Sequence, residues 1–299
     1  MRVFLTGGTG YIGSAVLDAL LRAGHDVTAL VRNPGAAERL QARQVAAFVG
    51  TLADPASYRD LAAGFEAYVH AAGDSSDEGQ LADASAVETL GALAADARAV
   101  LVYTSGVWVL GPTREPAGED AATNPIPLVA YRVAREQAVL ALAAQGVRAA
   151  VIRPGVVFGS GRGIVADMIK DAENGLMRVI GSGENRWPLV YHRDLGDLYV
   201  RILAAADASG VFHATDDEDE RVGDIADALA SHVDPRADIR YMPLAEAQAK
   251  MGPLADALAL DQVVRSPRAR ALGWAPTMRG ITGNAPRLFE EFRRAAGRG

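Results

Sequence analysis

The stretch VAYRVAREQAVL, residues 129–140, carries two side chains whose types and spacing suit proton transfer. Its apolar periodicity predicts a helix, in which Tyr131 and Arg135 lie on one face because they are four residues apart. A phenol can donate a proton, and the permanent charge of arginine stabilises the phenolate that remains. The alternative is that Arg135 turns outward to a carboxylate such as Glu136 or Glu119, and the stretch alone leaves both open.

The elements that must position this helix begin at the N-terminus with a βαβ unit. MRVFLT (1–6) predicts a strand, the apolar-periodic stretch 11–24 predicts a helix, and HDVTALV (25–31) predicts a second strand. The alternation continues with predicted strands at 45–50, 67–73, 99–106 and 147–155 and predicted helices at 55–65, 80–97 and from Tyr131 to Gly146. Near-continuous apolar strands between helices indicate a doubly wound parallel α/β sheet of the Rossmann type.

Beyond about residue 160 the alternation weakens, and glycine, proline and charged residues become commoner. We therefore predict a dinucleotide-binding domain at 1–160 and a smaller, irregular substrate-binding part at 161–299 that closes over the carboxyl edge of the sheet. GVFHAT (210–215) predicts a strand that returns to the edge of the main sheet. The acidic run DDEDE (216–220) is interpreted as a solvated loop.

Composition excludes several classes of function. The 299 residues carry a net charge of -7, which argues against a nucleic-acid partner, and contain no cysteine, which excludes disulfides and thiolate chemistry. The five histidines show no metal-ligand spacing. No apolar run approaches the ~20 residues that span a bilayer, and the N-terminus leaves no room for a signal peptide. We expect a soluble, cytoplasmic protein with no membrane partner.

A glycine motif lies directly between the first strand and the first helix. TGGTGYIG (6–13) places Gly7, Gly10 and Gly13 three residues apart. Glycine permits a sharp turn and lets backbone N–H groups approach a pyrophosphate, and the helix N-terminus adds a favourable dipole. The motif therefore predicts a dinucleotide site, with a tight structural turn as the alternative.

These motifs together resemble the extended short-chain dehydrogenase/reductase family, the branch that holds epimerases, dehydratases and many ketone and aldehyde reductases. The resemblance is carried by the glycine motif, HAAG (70–73), YTSG (103–106), the tyrosine helix, RPGVVFGSG (153–161) and WPLVYHRDLGDL (187–198). It implies a homodimer that pairs the helices at 80–97 and 127–145. It also implies cofactor contacts from Gly7, Thr9, Gly10, Tyr11, Ile12, Gly13, Ala71, Ala72, Gly73, Tyr131, Arg135, Pro154 and Val156.

The residue that follows the second strand indicates which nicotinamide dinucleotide is bound. Dinucleotide folds that take NAD end this strand with an acidic residue, but here the strand ends at Val31 and Arg32 follows. A guanidinium suits a 2′-phosphate, so we expect NADP, with NAD as second choice and a solvated Arg32 as the alternative. Thr51 and Leu52 stand where the family often has an adenine-contacting Asp-Leu pair.

The resemblance also implies catalytic roles, with two departures from the family pattern. In the family a tyrosine gives a proton to the alkoxide, a lysine lowers its pKa, and a Ser or Thr hydroxyl polarises the carbonyl. Here Arg135 replaces the lysine, and Gly106 stands where the hydroxyl is usual, so we expect Ser105 or Thr104 to take its role. The family's helical asparagine aligns with Ser85.

We predict an NADP-dependent oxidoreductase that reduces a small or medium aldehyde or ketone, with Tyr131 as proton donor. The substrate side is assigned to Trp108, Trp187 and Tyr191, and Asp194 is expected to cap the helix that follows. Two alternatives stay open because function resides in the site and not in the fold. One is a nucleotide-sugar epimerase or dehydratase, and the other is an NADP(H)-binding regulator without turnover.

Overall fold

The computed structural model describes residues 1–297 and has a seven-stranded parallel sheet at its centre. In chain order the strands are β1 (Arg2–Thr6), β2 (Asp26–Val31), β3 (Ala46–Val49), β4 (Ala67–His70), β5 (Val100–Thr104), β6 (Arg148–Pro154), β7 (Val156–Phe158), β8 (Leu176–Ile180), β9 (Arg186–Trp187), β10 (Leu189–Tyr191), β11 (Gly210–Ala214), β12 (Glu220–Arg221) and β13 (Asp238–Met242). The helices are α1 (Tyr11–Arg22), α2 (Pro34–Gln41), α3 (Asp77–Ala97), α4 (Tyr131–Ala141), α5 (Ile164–Glu173), α6 (His192–Ala204), α7 (Val222–Ala230), α8 (Leu244–Met251), α9 (Leu254–Leu258), α10 (Pro267–Ala271) and α11 (Ala285–Ala295).

The strand order of the main sheet is β11-β6-β5-β4-β1-β2-β3, which confirms the predicted doubly wound architecture. The chain moves outward in one direction from β1 to β3 and in the other from β4 onward. The order therefore reverses between β1 and β4, where a crevice forms outside the carboxyl ends of the strands. Thr6 pairs with His70 and His70 with Tyr103, so these three strands end side by side.

Helices cover both faces of the sheet, which is why its strands are apolar on both sides. On one face α1, α2 and α6 form a core cluster with the strands that includes Leu17 and Leu198. On the other face α3 and α4 pack Leu90 and Val139 against β5 and β6. Burial of one such large aliphatic side chain contributes about 1.5–3 kcal/mol, so both helix layers are held mainly by apolar contact.

The chain beyond residue 160 divides between two places. α6 packs on α1, and β11 pairs with β6 at the edge of the main sheet. α5, α7 and α11 build a separate core with the short strand pairs β7–β10, β8–β13 and β9–β12, whereas α10 packs on β11. The division of the chain into domains at residue 160 stays a prediction. Within residues 1–297, no helix has both the length and the apolar character needed to cross a membrane.

The segment 55–65, where the apolar pattern predicts a helix, contains only a single 3₁₀ turn at Pro55–Ser57. Asp54 caps the start of this turn by accepting the N–H of Ala56 at 3.2 Å. The turn ends at Tyr58, whose φ of -143° lies outside the helical region, so the prediction of a helix here is wrong.

The acidic run 216–220 is not a solvated loop, which corrects the second local prediction. Asp216 is fully buried and accepts the N–H of Gly280 at 2.8 Å. Its neighbours pair with arginines from the chain's last 35 residues or so: Asp217 with Arg270, Asp219 with Arg265 and Glu218 with Arg279. The run therefore fastens the C-terminal segment to the end of β11.

A buried ion pair joins α4 to β6. The Arg153 guanidinium donates to both carboxylate oxygens of Glu136 at 2.5–3.2 Å, and the two side chains are 6% and 4% exposed. Arg153 is thus engaged within the fold. A buried pair of this kind costs stability chiefly when one partner is removed.

We expect Glu136→Ala to lower the free energy of unfolding by about 3–5 kcal/mol, because it leaves the guanidinium of Arg153 buried without a counter-charge. Denaturant unfolding at neutral pH measures this change. Glu290→Ala breaks the exposed pair with Arg294 and serves as the matched control, with an expected change below about 0.5 kcal/mol. Equal, small effects of the two substitutions would contradict the assignment.

Candidate functional site

The glycine turn after β1 lies against the peptide that follows β4. Gly7 has a φ of +77°, and a Cβ there would lie 2.5 Å from the Ala71 carbonyl and from the Ala72 nitrogen. An L side chain fits neither this conformation nor this space. The sequence therefore needs glycine at position 7 to bring the ends of the two central strands together at the crevice.

Two further glycines shape the start of α1. The Gly10 N–H donates to the Gly7 carbonyl at 2.7 Å, and a Cβ on Gly13 would lie 2.0 Å from that same oxygen. No side chain caps α1, and its first turn holds no acidic residue. Its first N–H groups and its dipole are therefore available to an anion, and the turn fits a pyrophosphate.

Tyr11 closes the glycine turn against the C-terminal part. Its hydroxyl donates to the Gly159 carbonyl at 2.8 Å, and the Arg162 guanidinium lies 5.5 Å from its ring centroid. Burial raises the pKa of Tyr11. The ring thus holds the loop after β7 over the turn. Thr9 is exposed on the turn and Ile12 packs on the core, so the cofactor contacts predicted for these side chains stay predictions.

The end of β2 carries an exposed cation, as the sequence indicates. Arg32 directly follows β2 and makes no hydrogen bond or ion pair within residues 1–297, whereas Asn33 caps α2 by accepting the Ala36 N–H at 2.9 Å. Thr51 is exposed, and its N–H donates to Ser57. Leu52 is partly buried in the core beneath. Arg32 is therefore free to meet a ligand at this end of the crevice.

Tyr131 is the first residue of α4 and lies near the carboxyl end of β5. Its ring is half-buried, and this burial raises the pKa of its phenol, an effect that the adjacent Arg132 opposes. The Arg132 guanidinium lies 5.4 Å from the Tyr131 ring centroid and donates to the Thr104 carbonyl at 2.9 Å. The phenol and the end of β5 are thus brought together by a residue that the sequence analysis did not single out.

Arg135 is engaged with α3. Its Nε lies 3.5 Å from the Asp83 carboxylate, and its Nη2 donates to the Gln80 carbonyl at 3.4 Å, both on α3. The alternative of an outward turn to Glu136 or Glu119 is wrong. Glu136 bonds Arg153, and Glu119 accepts the backbone N–H groups of residues 213 and 268.

Asp83 is a functional candidate that the sequence analysis missed. It is 4% exposed and accepts from the Tyr103 hydroxyl at 3.1 Å, and it lies 3.1 Å from the His70 Nε2. The other ring nitrogen of His70 lies 2.5 Å from the Thr6 hydroxyl. An acidic residue within an Ala- and Leu-rich helix was the available signal, but the alignment favoured Ser85, two positions on.

Of the two hydroxyls at the end of β5, only one is free. The Thr104 hydroxyl donates to the His70 carbonyl at 2.7 Å and lies 2.6 Å from the Tyr199 hydroxyl. Ser105 is 6% exposed, and its Oγ has no hydrogen-bond partner within residues 1–297. A buried unpartnered hydroxyl is costly unless a ligand satisfies it, so Ser105 fits the role of carbonyl ligand better than Thr104.

The predicted substrate residues separate into two groups. Trp108 lies in a 3₁₀ turn after β5 and is partly buried between two core clusters, so its assignment stays a prediction. Trp187 and Tyr191 are 3% and 1% exposed; the Trp187 indole donates to the Leu258 carbonyl and the Tyr191 hydroxyl to Glu291. Both rings belong to the C-terminal core rather than to the crevice, which corrects their assignment.

Three other predicted positions, Pro154, Val156 and Asp194, are held by contacts within the fold. Pro154 and Val156 are buried on either side of the β6–β7 junction, where the Val156 N–H donates to the Pro188 carbonyl. Asp194 does not cap α6, because that helix begins two residues earlier. Its carboxylate instead accepts the Thr277 N–H and hydroxyl at 2.8 and 2.7 Å, which ties the C-terminal segment to α6.

We expect Gly13→Ala to destabilise the protein by about 1–3 kcal/mol and to abolish dinucleotide binding, since the new Cβ forces the turn and α1 apart. Thermal unfolding and titration calorimetry with NADPH measure the two effects. Gly283→Ala is the control, because a Cβ there meets no atom within 4 Å. Retention of normal NADPH affinity in Gly13→Ala would show that the turn does not hold the ligand.

Comparisons with known proteins show to which family this chain is similar. The model of the NAD dependent epimerase/dehydratase family matches residues 3–214. An uncharacterized protein of Schizosaccharomyces pombe is 32% identical over 285 residues, 93% of this chain and 95% of that protein. A 2-alkyl-3-oxoalkanoate reductase of Stenotrophomonas maltophilia is 29% identical over 208 residues, 64% of this chain and 62% of that protein.

Among solved structures, human epimerase family protein SDR39U1 with NADPH superposes with a TM-score of 0.77. The two sequences are 23% identical over 97% of this chain and 99% of the human one, so this likeness supports the fold alone. The family match covers the glycine turn, the tyrosine helix and the edge strand β11. The chain belongs to the NAD dependent epimerase/dehydratase family, within the extended short-chain dehydrogenase/reductases that its sequence resembles.

Proposed function

We propose that the protein is an NADP-dependent oxidoreductase that reduces a small or medium aldehyde or ketone, or oxidises the corresponding alcohol. The observation that carries the proposal is the free hydroxyl of Ser105 beside the end of β5, the same strand end to which Tyr131 is held through Arg132. A proton donor and a carbonyl ligand at the carboxyl edge of a dinucleotide fold are the two groups that carbonyl reduction requires.

The roles of the chain's own residues follow from this arrangement. The nicotinamide supplies the hydride when the cofactor is bound. The Ser105 hydroxyl donates a hydrogen bond to the carbonyl oxygen, and this bond strengthens as negative charge develops on that oxygen. Tyr131 gives its phenolic proton to the same oxygen, which completes the alcohol. The glycine turn and the N-terminus of α1 would hold the diphosphate.

The preference for NADP rests on Arg32. No carboxylate stands at the end of β2, and Arg32 is exposed and makes no hydrogen bond or ion pair within residues 1–297. Its charge is felt by the carboxylate of Asp74, whose pKa is lowered by hydrogen bonds from Ser76 and, to a lesser extent, by Arg32. A guanidinium binds a phosphate through parallel N–H bonds, whereas it gains little from a ribose hydroxyl. Structural neighbours of the same fold hold either NADPH or NAD, so the choice of NADP rests on Arg32.

The substrate side favours an apolar carbonyl compound. A groove of about 620 Å³ lies between the loop before α4 and the C-terminal part, and its lining residues are mostly apolar: Pro112, Ile126, Pro127, Leu244, Ala259 and Leu260, with Asp256 and Asp261. Gln248 donates to Asp256, and Arg186 pairs with Asp261 at 2.8 Å, so both carboxylates are already satisfied. The Stenotrophomonas relative, named for an alkyl-substituted oxo acid, supports an alkyl-bearing carbonyl compound.

A nucleotide-sugar substrate has weaker support. Its diphosphate needs free cations, but Arg186 pairs with Asp261, Arg178 pairs with Asp171, and Arg162 lies over the Tyr11 ring. A fourth arginine of the C-terminal part, Arg193, is exposed on α6.

A homodimer also stays a proposal. α4 exposes Ala134, Ala138 and Ala141, and α3 exposes Leu81 at 71%. Small and apolar side chains on the outer faces of the two helices support close approach of a second copy. Ala94, in contrast, is fully buried in the core of one chain. A cytoplasmic location is likewise a proposal.

Arg32→Ala should weaken NADPH binding about tenfold or more while it leaves NADH binding nearly unchanged, because it removes a charged hydrogen-bond donor that only the 2′-phosphate needs. Titration calorimetry with each dinucleotide measures the two affinities. Arg39→Ala, which removes an exposed arginine from α2, is the matched control. An equal loss for both dinucleotides, or none for NADPH, contradicts the assignment.

The function itself is tested by NADPH consumption over a panel of aldehydes and ketones with short and long alkyl groups. On the best substrate, we expect Tyr131→Phe to lower kcat/KM by about 10²-fold or more through loss of the proton donor. Ser105→Ala should lower kcat by about 10-fold or more, since it removes one donor to the developing charge. Tyr241→Phe, on an exposed ring, is the control. NADPH binding without turnover of any carbonyl compound would overturn the proposal in favour of a sensor.

A further inference from the structure

We propose that Arg132, and not Arg135, is the cation that pairs with the Tyr131 phenol. Arg132 would act through the tyrosine and is therefore a positioning residue. The effect of this pairing on turnover rests on the proposed function. The pairing itself can be measured without any substrate.

The first observation is that the charge of Arg135 is already compensated. The guanidinium Nε lies 3.5 Å from a carboxylate oxygen of Asp83, whose side chain is 5% exposed, and Nη2 bonds the Gln80 carbonyl. At that distance the contact with Asp83 is an ion pair without a formed hydrogen bond, and Nε has no hydrogen-bond partner within residues 1–297. Turning Arg135 toward the phenol would leave Asp83 without this partner, which is costly in a buried site.

The second observation is the position of the Arg132 guanidinium. Nη1 bonds the Thr104 carbonyl at the end of β5, and Cζ lies 5.4 Å from the Tyr131 ring centroid. A Cβ on Gly73 would lie 3.2 Å from Nη2, so the group also reaches the segment after β4. The guanidinium therefore lies across the carboxyl ends of two neighbouring strands, on the side of the sheet where the crevice opens.

The third observation is that Arg132 has no carboxylate partner. No Asp or Glu oxygen within residues 1–297 lies within 4.0 Å of its nitrogens, although the side chain is partly buried. Most arginines of the C-terminal part, in contrast, are paired with a carboxylate, such as Arg265 with Asp219. A partly buried, uncompensated guanidinium favours a neighbouring anion, and the phenol of Tyr131, whose ring centroid lies 5.4 Å from Cζ, is a group that can become one.

The groups around Tyr131 determine the direction in which the pKa of its phenol shifts. Asp83 on α3, Asp74 in the loop after β4 and the Tyr103 phenol on β5 face it, and the two carboxylates together with burial raise the pKa of Tyr131. Arg132, on the same helix, opposes them. Because a guanidinium stays charged throughout the range in which tyrosine titrates, it acts at every such pH, whereas a lysine loses its charge near pH ~10.

The pairing is tested by titrating tyrosine that carries an isotope label at Cζ, observed by NMR in the cofactor-free protein. Tyr131→Phe assigns the Tyr131 resonance. We expect Arg132→Met to move the titration midpoint of Tyr131 to higher pH, and Arg132→Lys to return it toward the wild-type value. Arg135→Met is the matched control on the same helix and should shift the midpoint less than Arg132→Met does.

A second readout separates the pairing from simple loss of structure. If a carbonyl substrate is found, Arg132→Met should lower kcat/KM by about 10-fold or more and move the pH profile, with partial rescue by Arg132→Lys. A larger midpoint shift in Arg135→Met than in Arg132→Met overturns the pairing, as does an unshifted midpoint in folded Arg132→Met. Failure of the whole carbonyl panel overturns the proposed function alone, because the NMR midpoints still decide the pairing.

Discussion

A carboxylate that is almost fully buried must find compensation inside the protein, and that of Asp83 does so through groups on three other elements. From α3 it meets His70 on β4, Tyr103 on β5 and Arg135 on α4, and His70 continues the chain of contacts to Thr6 on β1. One side chain thereby fixes how the ends of three central strands stand relative to α4. Those strand ends and that helix are the parts from which the candidate site is made.

This network also determines which groups remain for a ligand. Arg135 pairs with Asp83, so Arg132, about one turn earlier on α4, is the arginine at the strand ends that a ligand can meet. In the same way the Thr104 hydroxyl is occupied by the His70 carbonyl and by Tyr199, which leaves Ser105 with an unpartnered oxygen. The two departures from the family pattern at positions 135 and 106 are thus accompanied by neighbours, at 132 and 105, that are free to interact.

The sequence was sufficient for the main sheet, since continuous apolar strands, the glycine turn and periodic helices are signals carried by neighbouring residues. It was insufficient wherever a side chain finds a partner far along the chain. The spacing of Tyr131 and Arg135 correctly placed both on one helix, but whether that face meets the crevice or α3 depends on Asp83, some fifty positions earlier. Likewise the acidic run at 216–220 looks solvated until the arginines at 265, 270 and 279 are brought to it. In the same way, the Tyr191 ring can lie in the C-terminal core because its hydroxyl donates to Glu291, far along the chain.

The two ends of the proposed site differ in which atoms form them: backbone atoms at the phosphate end and side chains at the substrate end. The phosphate end consists of backbone: the Gly7 turn, the Ala71–Ala72 peptide and the first N–H groups of α1. Its geometry depends on the absence of side chains, so little can vary there without loss of the turn. In the proposed site, the substrate end consists of side chains from the loop before α4 and from residues 244–261, none of which belongs to a strand of the main sheet. Those residues can change without disturbing the dinucleotide turn, which is why the fold constrains the cofactor more tightly than the compound it reacts with.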